Sequence, residues 1–479
     1  MHRASAPLIF LFTPLHYYES TFILILWINH SVIIAQSLLL VMTAISTTKS
    51  VHVVALPGYE AQPCDSGVEH SRRKLQEAVK DLEPFVTADF DNITVTVAPC
   101  RSEEETWGYR CVCTFQLVFQ DDRFQYAMRH QKEPVVLGTD TFPVATQRIQ
   151  LAMKQLLDYI NQNQETLQVM ATYLTSVSFA SSWIDTPTCD CFVTLLYGNP
   201  VDEQLWKDRA QNVCHALSLA RLIGRSKGRV FFVSGPDSHA YLNDEVYLHL
   251  HQTTNASNRN RVTLSIEDVP ETACIPVTVH YQKPETAFFH PNSRAMLQAL
   301  EWMMGRLQHI NIGTSSCSML EMYCGCGAHT VALAKSGYVH SIVAVELDNR
   351  LVQACITNCK LNGCHGDESQ EGVSPVHVFQ GDASEWAHKS IKKTSGWYDK
   401  EYSILLVDPP RMGLAENVCQ MAMQGTFQHV LYVSCGRHAL KRDLERLKDT
   451  FEVVDCHLLD LFPRTDAVES LVHLKRRVT

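Results

Sequence analysis

In the second half of the chain, short runs of β-branched and aliphatic residues alternate regularly with amphipathic stretches of helical length. This alternation favours a doubly wound parallel sheet, because each parallel strand must be reached by a crossover that covers one face. Two of the apolar runs, SILLV and HVLYV, end at reactive side chains: Asp408 and Arg411 after the first, Cys435 after the second. Open α/β sheets bind ligands at the carboxyl ends of their strands, so we expect these three groups at one sheet edge.

A glycine loop and two strand-end acids in the same half indicate a nucleotide-like cofactor. The strand at 319–323 runs into Cys-Gly-Cys-Gly and then into a helix, so backbone can approach a ligand at the helix N-terminus. Glu346 and Asp382 end the next two strands, where one carboxylate can accept ribose hydroxyls and the other lies near an adenine amine. Thr330 replaces the third glycine of a dinucleotide fingerprint, which favours S-adenosylmethionine over NAD. Either acid alone would more often be a strand-end cap or an exposed charge.

The first half of the chain mixes helix and strand patterns. A helix is predicted at 71–82, and alternating apolar runs predict several strands between residues 93 and 234. We therefore predict three regions: an apolar N-terminal segment over 1–50, an α+β domain over 51–285 with a polar insertion near 234–260, and the doubly wound domain over 286–479.

A short basic run stands out in an otherwise acidic chain. Lys+Arg 41 against Asp+Glu 51 gives a net charge of -10, so contact with a nucleic acid needs a local patch rather than diffuse attraction. Four positive side chains fall between Arg221 and Arg229. They could hold phosphates, or they could line a solvated turn between a helix and a strand, and charge alone does not decide between the two.

Residues 21–46 contain no Asp, Glu, Lys or Arg and are long enough to span a bilayer. Polar residues within this segment and a single preceding Arg3 argue against an anchor or a transit peptide, and translation could also begin at Met42. The 17 cysteines show no CxxC…CxxC arrangement, which favours reduced thiols over a metal site. We expect an intracellular monomer without bound metal and favour the cytoplasm, with mitochondria or a membrane anchor through residues 21–46 as the open alternatives.

Several motifs between Pro99 and the C-terminus occur in the order of a known family. They are Tyr109-Arg110 and Phe115, DTFP at 140–143, LLY at 195–197, IGRSKG at 223–228, FFHPN at 288–292, LEMYCGCG at 320–327, DPPRMGL at 408–414, YVSCGR at 432–437 and FPRTDAVES at 462–470. With them the chain resembles the bacterial-type tRNA uracil-C5-methyltransferases, which make 5-methyluridine in the T loop. The resemblance implies an α/β protein with a C-terminal Rossmann-like, S-adenosyl-L-methionine-dependent methyltransferase domain, an N-terminal α+β RNA-binding domain, and tRNA as partner.

The resemblance also implies roles for individual residues. Cys435 matches the nucleophile and Glu469 the terminal general base. The other implied roles are cofactor contacts for His290, Tyr323, Glu346 and Asp408, and contacts to the target base for Arg411 and Phe115. Three positions depart from the family pattern: His290 stands for a cofactor-contacting Gln, Ala328 for a cofactor-contacting Asn, and Gly436-Arg437 for the usual Asn-Pro after the nucleophile.

The chemistry explains why these residue types are needed. Uracil C5 attacks a methyl donor only after a thiolate has added to C6, and a base must then remove the C5 proton before the thiol can leave. A uridine that leaves its stack can be stabilised by an aromatic side chain such as Phe115. Arg411 stands where cytosine-specific relatives carry a cysteine, and the four-cysteine motif of ribosomal-RNA relatives is not found, so tRNA uracil is favoured. The alternatives are an RNA-binding tRNA chaperone with a weakened methyltransferase site, or uracil-C5 methylation of another RNA.

Overall fold

The computed structural model describes residues 66–86, 94–130, 133–235, 241–251, 261–265, 277–285, 289–311 and 317–478. The predicted apolar segment 1–50, which includes residues 21–46 and Met42, lies outside the described residues, as do parts of the insertion near 234–260. Within the described ranges, none of the helices combines the length and the apolar character that crossing a membrane would require.

The helices begin where the sequence supplies capping side chains. Ser66, Asp202, Asp348 and Asp382 each accept a hydrogen bond from a backbone N–H in the first turn that follows them. The α-helices of the described residues are α1 (Gly67–Leu82), α2 (Gln147–Gln162), α3 (Gln168–Ala171), α4 (Glu203–Ala216), α5 (Ser293–Asn311), α6 (Ala328–Ser336), α7 (Asn349–Leu361), α8 (Ala383–Ile391), α9 (Glu416–Gln424) and α10 (Arg437–Leu447), with short 3-10 helices at Glu83–Phe85, Glu104–Thr106, Gly366–Glu368 and Trp397–Asp399.

The strands of the described residues fall into three sheets. They are β1 (Thr94–Ala98), β2 (Val112–Gln120), β3 (Arg123–His130), β4 (Glu133–Val136), β5 (Leu174–Ser181), β6 (Cys191–Tyr197), β7 (Arg221–Ser226), β8 (Arg229–Ser234), β9 (Leu242–His251), β10 (Arg261–Ser265), β11 (Val277–Lys283), β12 (Ser318–Met322), β13 (Ser341–Glu346), β14 (Val376–Gln380), β15 (Ile404–Val407), β16 (His429–Ser434), β17 (Phe451–Leu459) and β18 (Glu469–Arg476). Central parallel strands such as β15 are buried along their whole length, as expected where helices cover both faces.

The largest sheet has eight strands in the order β1-β17-β18-β16-β15-β12-β13-β14. Its neighbouring strands are parallel, except that β18 runs antiparallel to both β16 and β17. The chain continues from β12 to β13 on one side and places β15 on the other, which is the reversal that creates a ligand crevice in such sheets. The predicted doubly wound sheet is therefore confirmed.

Two apolar cores lie on opposite faces of the eight-stranded sheet. Ile342 and Ala344 of β13 point into the core that contains α5 and α6, whereas Val343 and Val345 point into the core that contains α1, α9 and α10. This assignment follows from the two-residue repeat of a strand, which sends successive side chains to opposite faces. A sheet covered on both faces leaves its strand ends as the place where polar groups can meet a ligand.

The second sheet has seven strands in the order β4-β3-β2-β5-β6-β7-β8. β6 and β7 are parallel and are connected through α4, while the other neighbouring pairs are antiparallel. Its apolar core lies under α2 and α4 and includes Phe115, Phe179, Trp206 and Leu222, all almost fully buried. The mixture of hairpins and helices agrees with the α+β region predicted for this part of the chain.

The structure corrects the predicted domain boundaries at two places. α1 and β1 precede the seven-stranded sheet, yet β1 pairs with β17 and Leu75 of α1 lies in a core of the eight-stranded sheet. The three-stranded sheet β10-β9-β11 lies before residue 285 but contacts α7, where Asn358 exchanges hydrogen bonds of 2.7 and 3.2 Å with the backbone of Gln282. The boundaries failed because a periodic pattern identifies a strand without identifying the sheet that it joins.

Candidate active site

Neighbouring strands of the eight-stranded sheet bring polar side chains to one edge. β13, β12, β15 and β16 run parallel and end in, or are directly followed by, Glu346, Tyr323, Asp408 and Cys435. β18 runs in the opposite direction and begins with Glu469. Because Ser470 pairs with Ser434 in the antiparallel ladder, the next position sets Glu469 opposite Cys435. One strand pair thus brings together a thiol and a carboxyl group that are distant in sequence.

Asp408 is close enough to Glu469 to raise its pKa, and both carboxyl groups are close enough to Cys435 to raise the pKa of its thiol. Burial raises the pKa of Asp408 to about 7, although 34% of its side-chain surface is still exposed. Burial, followed by repulsion from Asp408, holds the pKa of Glu469 well above its ordinary value, and Arg411 opposes this shift. Burial likewise raises the pKa of the Cys435 thiol to about 11, with both carboxyl groups adding to the effect and Arg411 opposing it. Such a cluster is suited to moving protons near neutral pH.

The turns that follow β15 and β16 are packed against each other. A Cβ atom on Gly436 would lie 2.5 Å from the carbonyl oxygen of Arg411, so a side chain cannot be added there without a shift of the backbone. Asp443 on α10 fixes the first turn, since its buried carboxylate accepts hydrogen bonds from the Leu414 N–H at 2.7 Å and the Tyr432 hydroxyl at 2.9 Å. Gly436, which departs from the family pattern, therefore allows these two turns to approach each other closely.

The glycine loop between β12 and α6 forms a groove at the same edge. Gly325 and Gly327 have φ of +57° and +84°, and a Cβ atom on Gly325 would meet open space. Glu346 accepts hydrogen bonds from the backbone N–H of Gly325 at 3.0 Å and of Asp348 at 2.8 Å, one on each carboxylate oxygen. A carboxylate has about four acceptor positions, so both oxygens can still accept ribose hydroxyls. The groove and this acceptor capacity fit the nucleoside of S-adenosylmethionine.

Tyr323 and Asp382 flank the glycine loop. Tyr323 adopts the left-handed conformation with φ of +65°, and burial raises the pKa of its phenol to about 12, with a smaller contribution from Asp382. Asp382 caps α8 by accepting the N–H of Glu385 at 2.9 Å. The two side chains are therefore neighbours, as the predicted cofactor site requires.

A buried histidine that was not predicted, His329, lies beside Asp408, and His290 lies near it. His329, in the first turn of α6, places Nδ1 3.8 Å from Asp408 Oδ2. Burial, with a contribution from nearby His290, lowers the pKa of His329 to about 3, and burial lowers the pKa of His290 to about 4. Both imidazoles are therefore neutral at physiological pH. The position of His329 directly after the glycine loop is the signal that could have identified it.

Phe115 does not lie at this edge, which corrects the predicted stacking role. Its side chain is 1% exposed in the core of the seven-stranded sheet. Its ring centroid lies 5.5, 5.2 and 6.3 Å from those of Tyr126, Phe142 and Phe179. A ring enclosed by aromatic neighbours has no free face for a base. The alternating pattern showed that Phe115 shares a face with Leu117, but not that helices cover this face.

The basic run forms the β7–β8 hairpin instead of a turn between a helix and a strand. The Arg221 guanidinium lies 4.2 Å from the centroid of the Phe232 ring, and Arg225 lies 3.8 Å from a carboxylate oxygen of Glu285. Lys227 is exposed in the hairpin turn. Two of the four positive side chains therefore have intramolecular partners, and the turn presents the others to solvent.

The thiols of the described residues differ in exposure. Cys435 is half-buried, whereas Cys324 and Cys326 of the glycine loop are buried and have pKa values raised by their surroundings, for Cys326 mainly by burial. A buried thiol with a raised pKa is a poor nucleophile. Among the residues that the structure describes, no group of three or more His, Cys, Asp or Glu side chains is arranged to hold a metal ion.

Comparison with known proteins places these features in a family context. The family model for tRNA (Uracil-5-)-methyltransferase matches residues 71–246 and 239–477. A tRNA/tmRNA (uracil-C(5))-methyltransferase from Sulfurovum sp. is 29% identical over 413 residues, which cover 84% of this chain and 93% of that protein. A protein of the same name from Stutzerimonas stutzeri is 27% identical and is covered to 96%, again over 84% of this chain. The crystal structure of Pyrococcus abyssi tRNA (uracil-54, C5)-methyltransferase in complex with S-adenosyl-L-homocysteine shares the fold, with a TM-score of 0.53, 17% identity and 86% of each chain covered.

Proposed function

Because the chain belongs to the tRNA (uracil-5-)-methyltransferase family, we propose that it methylates C5 of the T-loop uridine at position 54 of tRNA, with S-adenosyl-L-methionine as cofactor. The observation that supports a covalent mechanism is the pairing of β16 with β18, which sets Cys435 opposite Glu469. A nucleophile and a base at facing positions can act on adjacent carbons of one uracil ring, the first at C6 and the second at C5.

Cys435 acts first, by forming a bond between its sulfur and uracil C6. Its proton must leave beforehand, because a thiol whose pKa is raised to about 11 is protonated at rest. Asp408 is the neighbouring acceptor, and its pKa of about 7 suits proton exchange at neutral pH. Arg411 favours the thiolate, since its positive charge lowers the pKa of Cys435. Addition at C6 moves the electron pair of the ring double bond toward C5 and O4.

The glycine loop, Tyr323, Glu346 and Asp408 hold the cofactor at the edge of the sheet, with Glu346 accepting hydrogen bonds from the ribose. When bound, S-adenosyl-L-methionine supplies an electrophilic methyl group on its sulfonium sulfur. His290 and His329 are neutral, so they would add no positive charge that repels a bound sulfonium.

Glu469 completes the reaction by removing the proton from C5. The electron pair of the C5–H bond restores the ring double bond, the bond between C6 and the Cys435 sulfur breaks, and the thiolate leaves. The raised pKa of Glu469 makes its ionised form a stronger base than an exposed carboxylate, and the pKa-lowering effect of Arg411 helps to keep it ionised. Its burial also keeps bulk water from the adduct.

The proposal is tested by separating nucleophile from base. Cys435→Ala should abolish 5-methyluridine formation and leave no protein–tRNA adduct, because no other described thiol is placed to attack C6. Glu469→Gln should add to C6 and transfer the methyl group, then stall as a methylated protein–tRNA band that survives denaturing electrophoresis. Cys324→Ala, a thiol variant in the glycine loop, should still form the adduct. An adduct in Cys435→Ala, or normal turnover of Glu469→Gln, would overturn these roles.

The substrate part of the proposal has its own test. Mass spectrometry of tRNA nucleosides from cells that lack the protein should show loss of 5-methyluridine at position 54, with recovery when the wild-type gene is returned. Recovery with Cys435→Ala as well would favour a tRNA chaperone over an enzyme. Loss of 5-methyluridine from a different RNA, with tRNA unchanged, would point to another substrate.

A further inference from the structure

Lys74 of α1 is buried against the connection between β17 and β18, and we propose that it is a positioning residue for the general base Glu469. The inference rests on the proposed function, since it assigns Lys74 to the proton-removal step. Lys74 lies far from Glu469 in sequence and belongs to a helix that precedes the seven-stranded sheet. Its placement was not predicted from any motif.

The ammonium group of Lys74 is surrounded by oxygen atoms of this connection. Nζ donates hydrogen bonds to the carbonyl oxygens of Phe462 at 3.0 Å, Thr465 at 2.6 Å and Ala467 at 3.0 Å, and lies 2.6 Å from Asp460 Oδ1. The three carbonyl oxygens match the three protons of an ammonium, and Asp460 supplies the opposite charge. Burial lowers the pKa of Lys74, and the carboxylate of Asp460 opposes that shift.

We call residues 460–468 the base loop, because Glu469 follows directly. One residue, Val468, separates Ala467, whose carbonyl accepts a hydrogen bond from Lys74, from Glu469. Val468, between them, is 1% exposed and packs into the core below the sheet. Successive side chains of a strand point to opposite faces, so an anchored Ala467 and a buried Val468 together fix the direction of Glu469.

A second contact fastens the base loop to the start of α1. Arg464 donates hydrogen bonds to Thr106 Oγ1 at 3.0 Å and to Glu103 Oε2 at 2.6 Å. Glu103 in turn accepts the backbone N–H groups of Gly67 at 3.1 Å and Val68 at 3.2 Å, in the first turn of α1. Two cations therefore hold the base loop against α1: Arg464, which belongs to the loop, and Lys74, which belongs to the helix.

A role in stability alone accounts poorly for Lys74. Its side chain is 3% exposed and that of Asp460 is 1% exposed, and removing two charges from water opposes folding. A well-packed apolar pair would hold a helix on a sheet at least as firmly. What an apolar side chain cannot do is bind three backbone carbonyl groups of one loop in a fixed arrangement.

Measuring the separate steps of the reaction distinguishes a positioning role of Lys74 from a purely structural one. Glu469 is needed only after the methyl group has been transferred, so a displaced carboxylate slows elimination and leaves addition and methyl transfer unchanged. A displacement of about 1 Å can slow such a step by about a hundredfold. Loss of overall stability, by contrast, would lower the active fraction and reduce every step alike.

The test is a single-turnover experiment with full-length protein, a tRNA transcript and S-adenosyl-L-methionine, quenched in denaturant at successive times. In Lys74→Met the methylated protein–tRNA adduct should accumulate, with elimination slowed by about tenfold or more and methyl transfer within about twofold of wild type. Lys74→Arg, which keeps the charge and several donors, should recover part of the elimination rate. Lys80→Met, on the exposed side of the same helix, should behave as wild type.

Elimination at the wild-type rate in folded Lys74→Met would overturn the proposal, and so would an equal slowing of all steps. If Lys74→Met does not fold, Lys74→Gln decides, because its amide has two donors and cannot bind all three carbonyl groups: at least threefold slower elimination supports the proposal and an unchanged rate refutes it. Failure of the proposed function looks different, because the wild-type protein would then form neither adduct nor 5-methyluridine.

Discussion

The charged side chains of the two large sheets have different neighbours: groups of like charge in one sheet and favourable partners in the other. At the edge of the eight-stranded sheet, Asp408 and Glu469 are close enough to repel each other, and burial raises the pKa of both. On the seven-stranded sheet, charges have partners: Arg225 lies 3.8 Å from Glu285, and Arg221 covers the Phe232 ring. Repelling buried acids disfavour folding, whereas paired surface charges are nearly neutral.

The difference identifies which sheet carries the chemistry. Groups with strongly shifted pKa values that meet at a strand edge are a feature of active sites, because proton transfer needs pKa values near the working pH. The large side chains of the seven-stranded sheet instead pack into an aromatic core that contains Phe115 and Tyr126. We therefore expect substitutions in the two sheets to separate into effects on catalysis and effects on stability or tRNA affinity.

The largest expected effect is on stability and comes from Phe115→Ala. Removing a fully buried aromatic ring should lower the free energy of unfolding by about 3–5 kcal/mol, measured by denaturant titration. The volume-similar Phe115→Leu should cost much less and leave tRNA affinity within about twofold of wild type, since the ring has no free face for a base. A large loss of tRNA affinity in folded Phe115→Leu would restore the stacking role and break the comparison.

A catalytic effect is expected from a single methyl group at Gly436. In Gly436→Ala the new Cβ would collide with the Arg411 carbonyl oxygen, displacing both turns of the site and lowering kcat by about a hundredfold. The control is Gly228→Ala in the β7–β8 turn, where φ is +83° and the Cβ meets open space. That variant should lose about 1 kcal/mol of stability and keep its activity. Equal activities for the two variants would show that the turns are not coupled to the site.

The pH dependence of the reaction sharpens the comparison further. Proton removal needs ionised Glu469, so the rate of elimination should rise with pH as Glu469, whose pKa is held well above its ordinary value by burial and by Asp408, loses its proton. Arg411→Gln should shift the rising limb to higher pH, because Arg411 lowers the pKa of both Glu469 and Cys435. The defect should therefore be larger at pH 7 than at pH 9.

Arg437→Gln provides the control for that experiment. Arg437 follows β16, in the neighbouring turn, but its guanidinium lies 2.6 Å from Asp81 of α1, so its loss should leave the pH profile in place. A profile for Arg411→Gln that falls without moving along the pH axis would mean that Arg411 contacts the substrate and does not tune the two groups.

The smallest expected effect concerns tRNA binding by the seven-stranded sheet. Replacing Arg225 and Lys227 by Ala should weaken tRNA binding several-fold and reduce the slope of log K against log salt by roughly one for each lost phosphate contact. The fold should survive, since Lys227 is exposed and the Arg225 pair with Glu285 is 3.8 Å long. An unchanged salt slope would assign the hairpin to a solvated surface.

Much of the site could be predicted from the sequence because its residues lie at the ends of apolar runs, which a local pattern reveals. Asp408 and Cys435 end apolar runs, and Glu346 ends the strand after the glycine loop, so their meeting at one edge follows from a parallel sheet alone. His329 follows the glycine loop, but its contact with Asp408 depends on how α6 packs. The alternating pattern placed Phe115 on one face of a strand, but alternation does not reveal which face is covered by helices.

The sequence by itself determined the alternation of strands and helices, and with it the parallel sheet and the strand ends that carry Asp408 and Cys435. Only the tertiary structure decided that β18 reverses direction, which sets Glu469 opposite Cys435, and that α1 returns to the eight-stranded sheet with Lys74 against the base loop. The physical reason is the distance along the sequence over which each interaction acts. Hydrophobic periodicity records the environment of each residue along one element, whereas the pairing of distant elements depends on how whole faces are buried together.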